Sequence, residues 1–197
     1  MNALNSNPDF RLMVIAFKIR DFFLPRINIL KEMGIMPGFH VLDFGCGPGG
    51  YVIPLSELVD KTGKVYALDI NPDAIRMVQN LILKRQISNI ETIYSDCITG
   101  LPDNSIDVVI LYDVFHEISE PNEVLRELHR VLKPSGALSF RDHHMKEDEI
   151  LSGVTGSGLF RLFKKGKRTY SFMKLICEKD GKAIRHKPIT NSNFFLI

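Results

Sequence analysis

A glycine-rich stretch, VLDFGCGPGG at residues 41–50, holds the first side chains and turns that could do chemistry. Gly45, Gly47 and Gly50 satisfy the G-x-G-x-x-G spacing of a turn that binds a dinucleotide. Such a turn offers backbone N–H groups at the start of a helix to a phosphate. Asp43 precedes the turn, and a carboxylate at that place would repel a pyrophosphate. The loop therefore favours a ligand that carries an ammonium or sulfonium group.

Two further carboxylates, Asp69 and Asp96, follow the next apolar runs, VYALDI at 65–70 and IETIYS at 90–95. A carboxylate after the second run is suited to accept hydrogen bonds from the vicinal hydroxyls of a ribose. Nicotinamide and adenosyl ligands both contain a ribose, so this carboxylate fits them equally well. Asp96 suits the amino group of an adenine. A single Asp at a strand end is most often a cap or a turn former. Three of them around one glycine loop favour a nucleoside ligand.

These residues need a scaffold that brings several strand ends together. Runs rich in Val and Ile alternate with helical periodicity, which indicates βαβ units, a parallel sheet and helices on both faces. Ligands of such sheets lie outside the carboxyl ends of the strands. We predict strands at 39–44, 65–70, 90–95, 106–112 and 137–142, helices over 50–60, after the Asn71–Pro72 cap and from Pro121, and a hairpin over 158–175 around KKGK.

The composition is that of one globular domain, with 197 residues of which 45% are hydrophobic. A net charge of +2 does not favour a nucleic-acid partner, and we predict that the basic run 164–187 is a solvated hairpin and tail. Three well-separated cysteines favour a reduced, cytoplasmic compartment. The chain has no apolar run long enough to span a bilayer.

In combination and order, four stretches resemble the motifs of class I S-adenosylmethionine-dependent methyltransferases. They are VLDFGCGPGG, VYALDI, SDCITGLPDNSIDVVI and HRVLKPSGALSF, and the resemblance covers about residues 30–175. They are similar to the small-molecule branch that includes ubiquinone/menaquinone-biosynthesis methyltransferases. The resemblance implies an α/β, Rossmann-like, doubly wound seven-stranded sheet, mostly parallel with an antiparallel last strand and helices on both faces. It also implies S-adenosyl-L-methionine as cofactor and a small-molecule methyl acceptor.

The resemblance further implies where the methionine portion of the cofactor binds. The backbone at Gly45, Gly47 and Gly49 would approach that portion, with Asp43 near its amino group. Tyr112, after the fourth strand, would lie by the methionine tail and the donor methyl. The cofactor-binding residues that we predict are Asp43, Gly45, Cys46, Gly47, Gly49, Asp69, Ile70, Asp96, Cys97 and Tyr112.

The adenosine portion is assigned by the same resemblance to the ends of the second and third strands. Asp69 would bind the ribose hydroxyls, and Ile70 would lie against the adenine face. Asp96 would accept a hydrogen bond from the adenine amine, with the backbone N–H of Cys97 beside the ring. The cysteine thiols are small loop side chains in this interpretation, because nothing in the sequence activates them as nucleophiles.

Catalysis of methyl transfer mainly requires alignment and exclusion of water, and a base is needed only for a hydroxyl or a protonated amine. His116 in YDVFHEI is a candidate base, although an ordinary hydrogen-bonded loop histidine is the alternative interpretation. His143 or His144 in RDHH could lie over the same cleft. Adjacent histidines on an extended chain point to opposite faces, so we predict no metal site.

Residues 9–33 have helical periodicity with a break at Pro25, and we predict an N-terminal helical lid over 1–36. The cofactor-binding core would span 37–175, and the tail 176–197 stays unassigned.

One alternative function is an RNA methyltransferase or a non-catalytic adenosyl-binding module that uses the basic segment, and it predicts a steep salt dependence of RNA affinity. An NAD-dependent oxidoreductase is disfavoured by the carboxylates already described. YDVF stands where nucleobase amino-methyltransferases carry N-P-P-Y-like motifs, and the sequence makes no prediction of oligomeric state.

Overall fold

The alternating apolar runs form the strands of one seven-stranded sheet in the computed structural model, which describes residues 26–176. The strand order is β3-β2-β1-β4-β5-β7-β6, and only β7 runs antiparallel to its neighbours. This confirms the predicted fold class. The strands are β1 (His40–Phe44), β2 (Lys64–Asp69), β3 (Ile90–Tyr94), β4 (Ile106–Tyr112), β5 (Leu132–Arg141), β6 (Phe160–Lys165) and β7 (Tyr170–Lys174).

Five α-helices pack around this sheet within the described residues. The third begins as its sequence predicts, because the Asn71 side chain accepts the backbone N–H of Asp73 and Pro72 takes the first helical position. Short 3₁₀ turns lie at Lys31–Met33 and Phe115–Glu117. The helices are α1 (Ile27–Leu30), α2 (Val52–Val59), α3 (Pro72–Arg85), α4 (Pro121–Val131) and α5 (Glu147–Thr155).

The sheet separates two hydrophobic clusters, as a parallel sheet covered on both faces requires. One cluster is formed with side chains of α1, α2 and α3, and the other with side chains of α4, α5 and the β6–β7 hairpin. β1 lies between β2 and β4, so the strand order reverses beside β1. In an open α/β sheet, this reversal opens a crevice at the carboxyl ends of the strands.

The structure differs from the predicted elements in two places. β5 begins at Leu132, so the KPSG segment that was expected to separate helix from strand is part of the strand. Helix α5 was not predicted, because only Ile150 and Val154 are buried on it and its sequence contains Ser, Gly and Thr. Its start is fixed locally, since the Glu149 side chain accepts the backbone N–H of Lys146 at 2.7 Å.

The described part of the predicted N-terminal lid is built into the core. Leu30 and Met33 are 0% and 1% exposed, in the cluster that contains α2. The carboxylate of Glu32 accepts hydrogen bonds from the Thr169 hydroxyl and from the backbone N–H of Arg168 in the hairpin. Residues 1–25 of the predicted lid and 177–197 of the predicted tail lie outside the described residues. Over the part of the chain that is described, no helix is both long and apolar enough to cross a membrane.

Candidate functional site

The glycine loop after β1 is tied to the end of β2 by backbone hydrogen bonds. The N–H groups of Gly45 and Cys46 donate to the carbonyl of Leu68 at 2.8 and 2.9 Å. Gly45 has a φ of +81°, and a Cβ added there would lie 2.8 Å from Val114. The loop can therefore follow this path only with glycine at position 45, because an L side chain would be strained and would also collide.

We expect Gly45→Ala to lower the free energy of unfolding by about 3 kcal/mol, from the positive φ and the overlap with Val114 together. The matched control is Gly47→Ala, since Gly47 has a φ of +51° but no atom within 4 Å of the added Cβ. Only the conformational cost of about 1 kcal/mol applies to the control. Urea denaturation measures the free energy of unfolding of both variants. Adding Val114→Ala should reduce the loss caused by Gly45→Ala but not the loss caused by Gly47→Ala. Equal losses at the two glycines would contradict the overlap.

Asp43 presents a buried carboxylate to the base of this loop. Its side chain is 2% exposed, and within residues 26–176 its Oδ2 has no hydrogen-bond partner. Burial raises the pKa of Asp43 to about 7, while the charge of Arg26 lowers it and the charge of Asp69 raises it further. A buried carboxylate with an unsatisfied oxygen is costly, so the site is suited to a cationic hydrogen-bond donor.

Arg26 is a residue of this site that the sequence argument missed. Its guanidinium lies 4.6 Å from the centroid of the Tyr51 ring, and the residue as a whole is 8% exposed. A Cβ added at Gly50 would be 1.5 Å from its Nη1, so the guanidinium occupies the space that a side chain at position 50 would take. Arg26 immediately precedes α1, outside every motif, and no local pattern indicates that it reaches the loop.

Asp69 lies at the end of β2 and joins the loop to α3. Its Oδ2 accepts the backbone N–H of Gly47 at 2.7 Å, and its Oδ1 accepts the N–H of Asn71 at 2.8 Å. Each carboxylate oxygen retains a second lone pair for another donor. The charged group is thus held in place at the carboxyl edge of the sheet before any ligand binds.

The predicted adenine-binding side chains follow β2 and β3 on the same edge. Ile70 is 64% exposed, and Ile98, which the sequence argument did not select, is 74% exposed. Asp96, two residues before Ile98, is also exposed. The backbone N–H of Cys97 already donates to the Ser95 hydroxyl at 3.3 Å. The predicted Cys97–adenine contact would have to share or replace that hydrogen bond, and it stays a prediction.

Tyr112 is buried beneath the loop rather than exposed to a cleft. Its hydroxyl lies 2.5 Å from the Ser139 hydroxyl, and burial raises its pKa above the usual range. Its ring packs edge-on against Tyr51 at 5.1 Å, which in turn lies under Arg26. Through Tyr51, Tyr112 supports the floor below the guanidinium, and its predicted place beside the donor methyl stays a prediction.

The first candidate base, His116, is oriented by a carboxylate that the sequence argument did not name. The His116 Nδ1 lies 2.8 Å from Oδ2 of Asp142, and the His116 backbone N–H donates to the same oxygen. Burial raises the pKa of Asp142, but the hydrogen bonds from His116 and from the His144 N–H outweigh it and lower the pKa. A carboxylate held ionised beside an imidazole orients the ring and stabilises its protonated form.

The second candidate, His143, forms a matching pair with Asp113. Its Nδ1 lies 2.8 Å from Asp113 Oδ1, and its side chain is 51% exposed. Asp113 follows β4 with a φ of +57°, a conformation that non-glycine residues rarely adopt. The structure thus brings both predicted histidines to the ends of β4 and β5, each with an aspartate partner.

The predicted extended segment at His143 and His144 is wrong, and the absence of a metal site stays a prediction. His143 and His144 lie in a turn after β5 instead of an extended segment, and their ring centroids are 3.9 Å apart. Ligand atoms of Asp113, Asp142 and His143 all lie within 4.8 Å of one another. Both carboxylates, however, already accept hydrogen bonds from histidine side chains.

The two cysteines among the described residues are not activated. Burial, followed by the charges of Asp43 and Asp69, raises the pKa of Cys46. Burial and nearby carboxylates likewise raise the pKa of Cys97. Both are thiols at neutral pH, which agrees with their interpretation as small loop side chains.

The doubly wound sheet, with an acidic glycine loop at the carboxyl ends of its strands, defines an α/β protein of the class that binds nucleotide-like cofactors at those ends. The sequence matches a family described as a methyltransferase domain over residues 35–187. The chain belongs to this family, as a class I S-adenosylmethionine-dependent member, and S-adenosyl-L-methionine is its cofactor.

Individual relatives agree with that assignment. A demethylmenaquinone methyltransferase of Geobacillus sp. (strain WCH70) is 30% identical over 112 residues, which are 56% of this chain and 48% of the relative. One from Lactococcus lactis is 32% identical over 137 residues, covering 68% of this chain and 53% of the relative. The chain thus spans about half the length of the curated relatives it matches.

A solved structure gives the corresponding comparison in three dimensions. It is a SAM-dependent methyltransferase from Aquifex aeolicus, with a TM-score of 0.67 and 28% identity, covering 80% of this chain and 96% of that chain. A Methanococcus maripaludis protein has a TM-score of 0.71 over 91% of this chain, and its 14% identity shows the fold alone.

Proposed function

We propose that this chain transfers a methyl group from S-adenosyl-L-methionine to a small-molecule acceptor that carries an ionisable hydroxyl. The observation that carries the cofactor assignment is the buried Asp43 carboxylate with an unsatisfied Oδ2, beside the guanidinium of Arg26. The methionine tail is a zwitterion, and these two groups offer one opposite charge to each of its ends. Asp43 would bind the ammonium, and Arg26 would bind the carboxylate.

The adenosine half fits the neighbouring strand ends. Asp69 is held at the carboxyl edge with lone pairs left for the ribose hydroxyls, and Ile70 and Ile98 offer exposed apolar surface to an adenine. Asp96 offers an exposed carboxylate to the adenine amine. When bound, the cofactor supplies a methyl carbon attached to a sulfonium. The backbone of the glycine loop then has to hold that end in line with the acceptor and exclude water.

Arg26→Met tests the carboxylate contact, because Met keeps an apolar side chain over Tyr51 and removes the charge. We expect the dissociation constant for S-adenosyl-L-methionine to rise about 10- to 100-fold, as the loss of a charge-assisted hydrogen bond implies. Isothermal titration calorimetry measures the constant. Arg76→Met is the matched control, since Arg76 lies exposed on α3 and pairs with Asp73. An unchanged constant in Arg26→Met, with a folded protein, would remove Arg26 from the site.

The acceptor side of the proposal rests on the His116–Asp142 pair. With its Nδ1 held by Asp142, the ring has Nε2, which lies 3.7 Å from a carboxylate oxygen of Glu117, to take a proton from an acceptor hydroxyl. Ionisation raises the electron density of the oxygen and of an adjoining ring carbon. Either atom can bond to the methyl as the methyl–sulfur bond breaks and leaves a neutral thioether, and a ring carbon then loses its proton to restore the aromatic ring. The curated relatives are named demethylmenaquinone methyltransferases, and we propose a reduced hydroxy-aromatic compound of that type as the acceptor class.

The experiment that tests this function follows a labelled methyl group from S-adenosyl-L-methionine to a chemically reduced demethylmenaquinone. Equilibrium binding of the cofactor is compared with that of NAD, which the acidic loop should exclude. Label in the organic product, together with cofactor binding, supports the proposal. Binding without transfer to any hydroxy-aromatic acceptor in a panel would favour the non-catalytic adenosyl module. Transfer to RNA, lost steeply with salt, would favour the RNA methyltransferase.

We retain a lid as a proposal only for the residues before 26, because Ile29 and Leu30 belong to the core. Deletion of 1–25 keeps Arg26 and should lower kcat/KM for the acceptor more than cofactor affinity. Equal loss of both would contradict a lid.

We also propose the cytoplasm as the compartment, which is supported by Cys46 and Cys97 being free thiols.

A further inference from the structure

The β6–β7 hairpin ends in a surface that is both cationic and apolar, called here the hairpin surface and made of residues 161–168. Leu162 and Phe163 are 38% and 41% exposed on its β6 arm. Its basic residues are Arg161, Lys164, Lys165, Lys167 and Arg168, and the sequence has no acidic residue between 158 and 177. A single exposed apolar side chain is ordinary on a protein surface, whereas two consecutive large ones among five basic residues form a patch.

The backbone of β6 contributes to this exposure. β6 is one of the two edge strands of the sheet, and its register with β7 shifts between Leu162 and Lys164. A β-bulge of this kind takes one residue out of the ladder and re-aims its side chain. Phe163 is that residue, so the strand carries an aromatic ring where an edge strand would be expected to carry only charge.

The tip of the hairpin surface lies at the same end of the sheet as the candidate active site, whereas Leu162 lies further back along β6, level with Leu138 of β5. Tyr170 pairs with Phe140 of β5 on one side and with Lys165 of β6 on the other. Phe140 and Arg141 end β5, and Asp142 follows them directly. The Glu32 carboxylate holds the tip through the N–H of Arg168 and the hydroxyl of Thr169. The tip is therefore fixed beside the residues that would bind the acceptor.

Part of the charge is balanced within the chain. Lys165 pairs with Glu147 of α5, whereas the side chains of Lys167 and Arg168 at the tip are exposed. Lysines on an edge strand protect it from pairing with other chains. That protective role accounts for the cations, but it does not account for Leu162 and Phe163 beside them.

We propose that the hairpin surface docks onto a bilayer that contains anionic lipid. The cations contact lipid phosphates, and Leu162 and Phe163 enter the headgroup region, as in other interfacial membrane anchors. A bilayer is favoured over a nucleic acid because an aliphatic and an aromatic side chain together gain from leaving water. The docked surface would place the candidate active site at the membrane, whatever acceptor the enzyme uses.

Vesicle flotation with the full chain tests the proposal. Vesicles of phosphatidylcholine mixed with phosphatidylglycerol should carry the protein upward, whereas vesicles of phosphatidylcholine alone should carry much less. Lys167→Gln with Arg168→Gln should lower the partition coefficient about tenfold or more. Phe163→Ser should lower it about fivefold. These readouts do not depend on methyl transfer, so they can fail or succeed separately from the proposed function.

Helix α3 offers a matched set of control variants at its far end. Leu83 is 75% exposed there, and Lys84 and Arg85 are exposed next to it. Leu83→Ser and the pair Lys84→Gln with Arg85→Gln should leave flotation unchanged. Equal losses in both sets, or no flotation of the unaltered protein, would overturn the proposal. Tight binding to single-stranded RNA that needs the cations but tolerates Phe163→Ser would also overturn it, in favour of a nucleic-acid surface.

Discussion

Replacement of His116 by Gln is expected to lower kcat by about 10²- to 10⁴-fold in the labelled-methyl assay, the range for loss of a general base. The dissociation constant of S-adenosyl-L-methionine should change by less than about twofold. The reason is geometric: Asp142 holds His116 at 2.8 Å, at the ends of β4 and β5, and His116 is none of the residues proposed to bind the cofactor. His129→Gln is the control, because the His129 ring is hydrogen-bonded to the Leu175 carbonyl. A kcat within threefold of the unaltered enzyme would remove His116 from catalysis.

Asp142→Asn separates positioning from simple stability. The pKa of Asp142 is lowered by its hydrogen bonds despite burial, so its carboxylate is ionised at neutral pH and holds the His116 ring in one orientation. The amide keeps the shape but removes the charge. We expect a loss in kcat with little change in KM, and no further loss when Asp142→Asn is added to His116→Gln. A loss of thermal stability, with losses in kcat that add in the double variant, would assign Asp142 a structural role only.

Affinity for S-adenosyl-L-methionine is expected to rise about tenfold per pH unit from pH 5 to about 7 and then level off. Burial raises the pKa of Asp43 to about 7, so the acid is largely protonated below that pH, and its ionised form is the one that binds an ammonium. Calorimetry across this range measures the slope. Asp43→Asn should abolish the slope and weaken binding at pH 8 about 100-fold, whereas Asp148→Asn on the exposed start of α5 should do neither. A pH-independent affinity in the unaltered protein would contradict this assignment.

The same titration has an opposite effect on the stability of the cofactor-free protein. Asp43 has a folded-state pKa of about 7 against 3.8 for an unperturbed Asp, so between these values the folded state holds a proton that the unfolded state has lost. Stability contributed by this group is therefore greatest at the acid end and falls as the pH rises from 4 to 7, by at most about 4 kcal/mol. Saturating cofactor should reduce that fall, since the ammonium compensates the charge.

Local patterns in the sequence were enough to predict the sheet. Val- and Ile-rich runs separated by turns and helices predict buried parallel strands, and the strand ends then group Asp43, Asp69 and Asp96 on one edge. Helix α5 and the early start of β5 were missed because tertiary packing, more than propensity, decides such short segments.

The polar partners of the site could not be predicted in the same way. Arg26 meets Gly50, and His116 meets Asp142, across long separations in the chain. Periodicity reports which face of an element is buried, but it does not report which distant side chain comes to rest there. The left-handed backbone of Asp113, which presents its carboxylate to His143, has no local sequence signal either.

The contact between Arg26 and Gly50 has a consequence for how this chain can change over time. Because any Cβ at position 50 would fall within 1.5 Å of the guanidinium, the two positions are linked as a complementary pair. A homologue that acquires a side chain at position 50 must also lose or redirect the arginine at position 26, and with it one of the two charges that we propose for binding the methionine tail. Aligned relatives should accordingly show these two positions varying together, with the glycine retained wherever the arginine is present.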